Sequence, residues 1–136
     1  MRHSSVLLSG LGCALAMVSG ASVAQTSFDF GKNEYQASCA SCHGVTAKGD
    51  GAVSRFLMKA PSDLTMMAKR NGGAFPYQYA WEVIDGRKSA EIGVHGSRDM
   101  PVWGYIYRSE DTQPADLHAR NRIGSLLDYL VRIQVK

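Results

Sequence analysis

Little in this chain of 136 residues points to nucleic acid or to a membrane. Fifteen Lys and Arg stand against twelve Asp and Glu, a net charge of only +3. No basic run gathers them, so the electrostatic footprint of a nucleic-acid binder is missing. No apolar run reaches the ~20 residues that a spanning helix needs; the longest, Val6 to Val18, is diluted by Ser and Gly. Cysteine is scarce too. Cys13, Cys39 and Cys42 are the three, too few for a disulfide framework or a four-thiolate zinc site. No repeat or low-complexity tract is present, and no nucleophile–base pair or paired carboxylates stand out.

What is there begins with residues 1–24. Arg2 and His3 precede the apolar run, and a small-x-small ending follows at Ser22 and Ala24. That layout predicts a secretory signal peptide, cleaved before Gln25. A membrane anchor would need a longer run, and a lipidated Cys13 would need a different approach in Gly10–Gly12. The expected organisation is therefore 1–24, a removed signal peptide, and 25–136, one soluble exported domain in the periplasm. Losing Arg2 lowers the net charge from +3 to +2, and Cys39 and Cys42 become the only thiols.

Periodicity predicts an all-α domain of three or four helices with two long loops. A first helix from about Gly31 carries Phe28, Gly31, Tyr35 and Cys39 on one face and stops at His43-Gly44. Residues 44–62 read mostly as loop. A short helix over 62–73 is capped by Ser62 or Asp63 and ended by Asn71-Gly72-Gly73. Another starts at Pro76 and ends at Gly86, with Arg87 and Lys88 near its negative end. Residues 89–104 show no period and read as loop. A last helix from Pro114 to about Gln134 has a stripe at Leu117, Ile123, Leu126, Leu127, Leu130 and Ile133. Loops this long in a small domain need something to wrap, and a large apolar cofactor would supply it.

Cys39-x-x-Cys42-His43 indicates which. Zinc needs four ligands, and His95 and His118 stand at no finger spacing. A thioredoxin-like pair would follow a strand, and none is predicted there. A plain disulfide leaves His43 unexplained. C-x-x-C-H is the attachment signature of c-type haem: two thiols add to the two vinyl groups, and the adjacent histidine ligates the iron. One haem c is thus expected, held by Cys39 and Cys42 with His43 as proximal ligand.

The iron's sixth position largely sets the function. Met66 and Met67 fall in a helix and read as core or haem wall, and Met58 lies in a loop near the attachment helix. Met100 lies in the long loop, beside the stiffening Pro101, and is the expected distal ligand. His95 is its competitor, since a bis-histidine haem is chemically reasonable.

"CASCHG", "GDG" at 49–51, "PSDLT" at 61–65, "NGGAFP" at 71–76, "IDGR" at 84–87 and "HGSRDMPVWG" at 95–104 together resemble a class I cytochrome c of the small bacterial periplasmic kind. The resemblance implies the cytochrome c fold, with Gly31 and Tyr35 of the first helix packed on Leu126, Tyr129 and Leu130 of the last. It implies a proline carbonyl accepting the proximal histidine's ring N–H, for which Pro61 is the candidate. Leu64 stands one residue later than in the family's proline-x-leucine form. Trp103 resembles an aromatic near a haem propionate, with loop packing as its other reading.

The function expected is a periplasmic one-electron carrier, not itself an enzyme, exchanging electrons with partner proteins through a small, mainly apolar patch at the haem edge with a sparse charged rim. Two alternatives stand beside it: a dedicated haem subunit of an exported oxidoreductase complex, and a haem enzyme or gas sensor with an open sixth site. A monomer or such a subunit is expected, without stable membrane insertion and without nucleic acid.

Overall fold

Asp29 opens the first helix by accepting the Lys32 N–H on its side chain at 3.0 Å, which satisfies one of the donors a helix start leaves free. The computed structural model describes residues 28–87, 100–110 and 113–135; the expected signal peptide over 1–24, Lys88 and His95 lie outside the described residues. Helix α1 is Phe30–Ser38 and α2 is Ala40–His43. Cys39 is the joint between them, its N–H still donating to Tyr35 O at 2.9 Å. A 3₁₀ turn at Leu64–Met66, capped by Asp63, leads into α3, Met67–Arg70. Helix α4 is Tyr77–Asp85, closed by Gly86 in the left-handed conformation at φ 93°, where glycine carries no Cβ penalty. Helix α5 is Trp103–Ser109 and α6 is Ala115–Arg132.

The fold is all-α as expected, with no strand among the described residues and six α-helices there instead of three or four. Part of the excess is the break at Cys39, which splits the expected first helix into α1 and the one-turn α2. Helix α5 is the real correction, because its start falls inside a stretch read as loop. Its buried positions are Gly104 and Tyr107, while Tyr105 is 72% exposed and Ile106 lies at the surface. A glycine facing in and a tyrosine facing out erase the apolar period by which a helix is recognised.

Helices α1 and α6 cross closely. A Cβ on Gly31 would lie 2.0 Å from Ser125 O and 2.9 Å from Tyr129 Cβ, so only glycine permits the approach. The Tyr35 and Tyr129 rings meet at 5.3 Å, and Ile123, Leu126, Leu127 and Leu130 are buried around them. Two stripe assignments need correcting. Phe28 is 67% exposed, set edge-on against Phe30, since the chain leaves the helix axis at Asp29. Leu117 is also exposed, and Ala119 takes the buried place in that turn. The C-terminus is tied back by Gln134, whose Oε1 accepts the Ala68 N–H at 2.8 Å and whose Nε2 donates to Leu64 O at 2.9 Å.

Candidate haem site

Tyr35 is the residue that links the helix crossing to the site. It is fully buried, and its hydroxyl donates to Gly44 O at 2.6 Å, directly after His43. The carbonyls of α2 are taken up by the following loop: Gly49 N–H donates to His43 O at 2.8 Å, Gly51 N–H to Cys42 O at 3.1 Å, and Val53 N–H to Ser41 O at 2.9 Å. The "GDG" stretch is built for this approach. A Cβ on Gly51 would come within 2.3 Å of Ser41 O, and one on Gly49 within 2.3 Å of Pro61 O. Tyr35→Phe should remove one of the two donors to the Gly44 carbonyl, leaving the Ala47 N–H at 3.0 Å, and cost about 1 kcal/mol in chemical denaturation; an unchanged midpoint would mean that the remaining bond suffices.

Cys39 and Cys42 are both half-buried and not bonded to each other. Burial, with help from the Glu34 charge, pushes the Cys39 thiol up to about 12.

His43 Nδ1 lies 3.0 Å from Ser62 O. A carbonyl can only accept, so Nδ1 carries the proton and the Nε2 lone pair is left for a metal. Burial lowers the His43 pKa, against the opposing pull of the Ser62 carbonyl, and so favours the neutral ring that ligates iron. The carbonyl expected here was that of Pro61. The structure places Ser62 there instead, because Pro61 O is turned toward Gly49. The shift also accounts for the late Leu64: counted from Ser62, the leucine is again two residues on.

Leu64, Met67, Phe75, Trp81, Met100 and Trp103 pack as partly buried side chains on the same core that Cys39 touches. Trp103 opens α5 and tilts onto the Tyr107 ring at 5.7 Å. Among the methionines, Met58 is 87% exposed, whereas Met100 is half-buried against the core. An imidazole with a free Nε2, two adjacent unpaired thiols, a thioether and a partly buried apolar wall form a donor set that suits a haem.

One cluster has no counterpart in the sequence reading. The Glu34 carboxylate accepts from Ser38 Oγ and from Tyr107 OH, both at 2.6 Å, and from Arg122 Nε at 2.8 Å. Arg122 also pairs with Glu110 and lies 4.0 Å above the Tyr107 ring, and His118 Nε2 meets Glu110 at 2.8 Å. The group joins α1, α5 and α6 behind Cys39. Its members are up to 88 positions apart, beyond the reach of any local pattern.

The family model for cytochrome c matches residues 28–119, a span that includes Cys39, Cys42, His43 and Met100. No curated protein and no solved structure matches the chain.

Proposed function

The chain belongs to the cytochrome c family, and so is a haem-based electron carrier with covalently bound haem c; from that premise we propose a periplasmic one-electron carrier with His43 and Met100 as axial ligands and Cys39 and Cys42 as the attachment thiols. The bound haem supplies an iron that alternates between ferrous and ferric states. The observation that carries the reading is the His43–Ser62 hydrogen bond, which fixes the tautomer and aims Nε2 away from the backbone. Tyr35 and the Gly49–Gly51 loop hold α2 rigid, so the imidazole moves little when its charge environment changes. Met100 approaches on a segment stiffened by Pro101, and a thioether favours the ferrous state. Residues 1–24 support export by their layout, and no helix among the described residues is long and apolar enough to cross a membrane.

On a denaturing gel, haem stain should travel with the polypeptide and be lost when both cysteines are replaced by alanine. Colour removed by acid-acetone from the unmodified protein would refute covalent attachment through them. The ferric protein should show the near-infrared sulfur-to-iron band. Met100→Ala should abolish it and lower the potential, with His95→Ala keeping both. The reverse pattern would transfer the distal role to His95.

A further inference from the structure

The end of α4 and the segment that carries Met100 are interlocked, and the lock contains a buried charge that neither haem attachment nor iron ligation uses. The Asp85 side chain is 5% exposed. Its Oδ1 accepts from Arg108 of α5 at 2.6 Å, and its Oδ2 accepts from Arg87 at 2.7 Å. Arg108 continues to Asp116 of α6 at 2.9 Å, so one guanidinium spans three helices. Two glycines bring the surfaces together. A Cβ on Gly104 would meet Asp85 Oδ1 at 2.3 Å and Asp85 O at 2.6 Å, and one on Gly86 would meet Val102 Cγ1 at 2.2 Å.

Val102 and Gly104 lie two and four residues after Met100, with Pro101 and Trp103 between. The backbone from Met100 into α5 therefore has little freedom to shift without separating Asp85 from Arg108. The pair is costly to break from the arginine side, because the Asp85 carboxylate, 5% exposed, has little water to turn to, whereas Arg108 is partly solvated. A group with only a packing role at this spot could be apolar; a carboxylate that receives two guanidinium donors fixes direction as well as distance. Burial pushes the Asp85 carboxyl up, yet the Arg87 and Arg108 hydrogen bonds and charges outweigh it and hold it below its ordinary range, so it stays ionised at neutral pH.

We propose that Asp85, through Arg108, is a positioning residue for the distal ligand: the pair made by this buried carboxylate holds the Met100 segment in register against α4 and thereby keeps added ligands from displacing the sulfur. The proposal rests on Met100 being that ligand. It concerns how firmly the sulfur is held, which neither the motif nor the family determines.

The test uses the full haem-loaded protein in its ferric form, with imidazole as the competing ligand. Asp85→Asn keeps the shape and removes the charge, and Arg108→Gln breaks the same contact from the other side should the first variant fold poorly. Both should bind imidazole about tenfold more tightly than the parent, as expected for the loss of one buried charged hydrogen bond. Both should also lose the sulfur-to-iron band at a lower pH. Asp116→Asn, which touches the same arginine at an exposed position, should leave imidazole affinity and the band unchanged. A urea midpoint that falls in Asp85→Asn and Arg108→Gln while affinity and band stay at parental values would overturn the proposal, leaving the pair a purely structural contact. A parent protein without the band would instead remove Met100 as ligand, and the positioning role with it.

Discussion

Arg122→Ala should lower the stability of the folded protein by about 3 kcal/mol, toward the lower end for a broken buried ion pair because the guanidinium is partly solvated. Three losses coincide. The Glu34 carboxylate, whose side chain is only 11% exposed, keeps Ser38 and Tyr107 as donors but loses its countercharge. The Tyr107 ring loses the cation above it, and among the described residues Glu110 retains His118 alone. Urea denaturation of the haem-loaded protein measures the effect. Adding Glu34→Gln to Arg122→Ala should recover part of it, since a neutral amide leaves no stranded charge. An additive double variant would show that the pair is not coupled.

The same network gives a pH dependence with a definite sign. Burial pushes the Glu34 carboxyl up, but the hydrogen bonds from Arg122, Ser38 and Tyr107 and the Arg122 charge outweigh it, leaving it below its ordinary 4.5. A carboxyl more acidic folded than unfolded adds stability that is fully present above the unfolded value and is lost as pH falls through the folded one. Glu110 is shifted the same way, by His118 and then Arg122, and its largely solvated position makes its share small. Stability should therefore decline below pH about 4.5, and more gently in Arg122→Ala, which has already lost the contribution.

How much of this could be read from the residues depended on whether the determinant was local. Cys39, Cys42 and His43 lie within five residues of one another, so the motif from which their chemistry is proposed is local. Gly86 ends α4 as a left-handed cap because the chain there is one a glycine favours, which is also local. The Ser62 carbonyl was harder: whether Pro61 or Ser62 reaches His43 depends on how closely Gly49 lets the neighbouring loop approach, a contact between segments 12 residues apart. Helix α5 escaped because its inward face uses glycine and tyrosine in place of an aliphatic stripe. The Glu34–Arg122 and Asp85–Arg108 pairs escaped for another reason. Charged residues in helices usually face water, and nothing local marks the ones that tertiary packing turns inward. Phe28 and Leu117 are the converse, apolar residues at helix ends where the stripe runs past the surface it packs on.

Gly31→Ala should destabilise the protein by about 2–3 kcal/mol even though alanine is the better helix former by about 1 kcal/mol. The two effects oppose each other, and the geometry decides between them. The added Cβ would sit 2.0 Å from Ser125 O and 2.9 Å from Ser125 C. Backbone atoms in the middle of an 18-residue helix cannot swing aside as a side-chain tip can. Helices α1 and α6 must separate instead, loosening Tyr35 against Tyr129 and the leucines beneath. Gly124 supplies the control on the partner helix: a Cβ there meets nothing within 4 Å, so Gly124→Ala should stabilise by about 0.5–1 kcal/mol from propensity and reduced chain entropy. Urea midpoints of the two variants should thus move in opposite directions from the parent. Helix α1 also leads into Cys39, so Gly31→Ala should lower the yield of haem-stained protein while Gly124→Ala leaves it unchanged. If Gly31→Ala instead gained stability as Gly124→Ala does, the close approach of α1 to α6 would be wrong, and with it the placement of the attachment helix that depends on it.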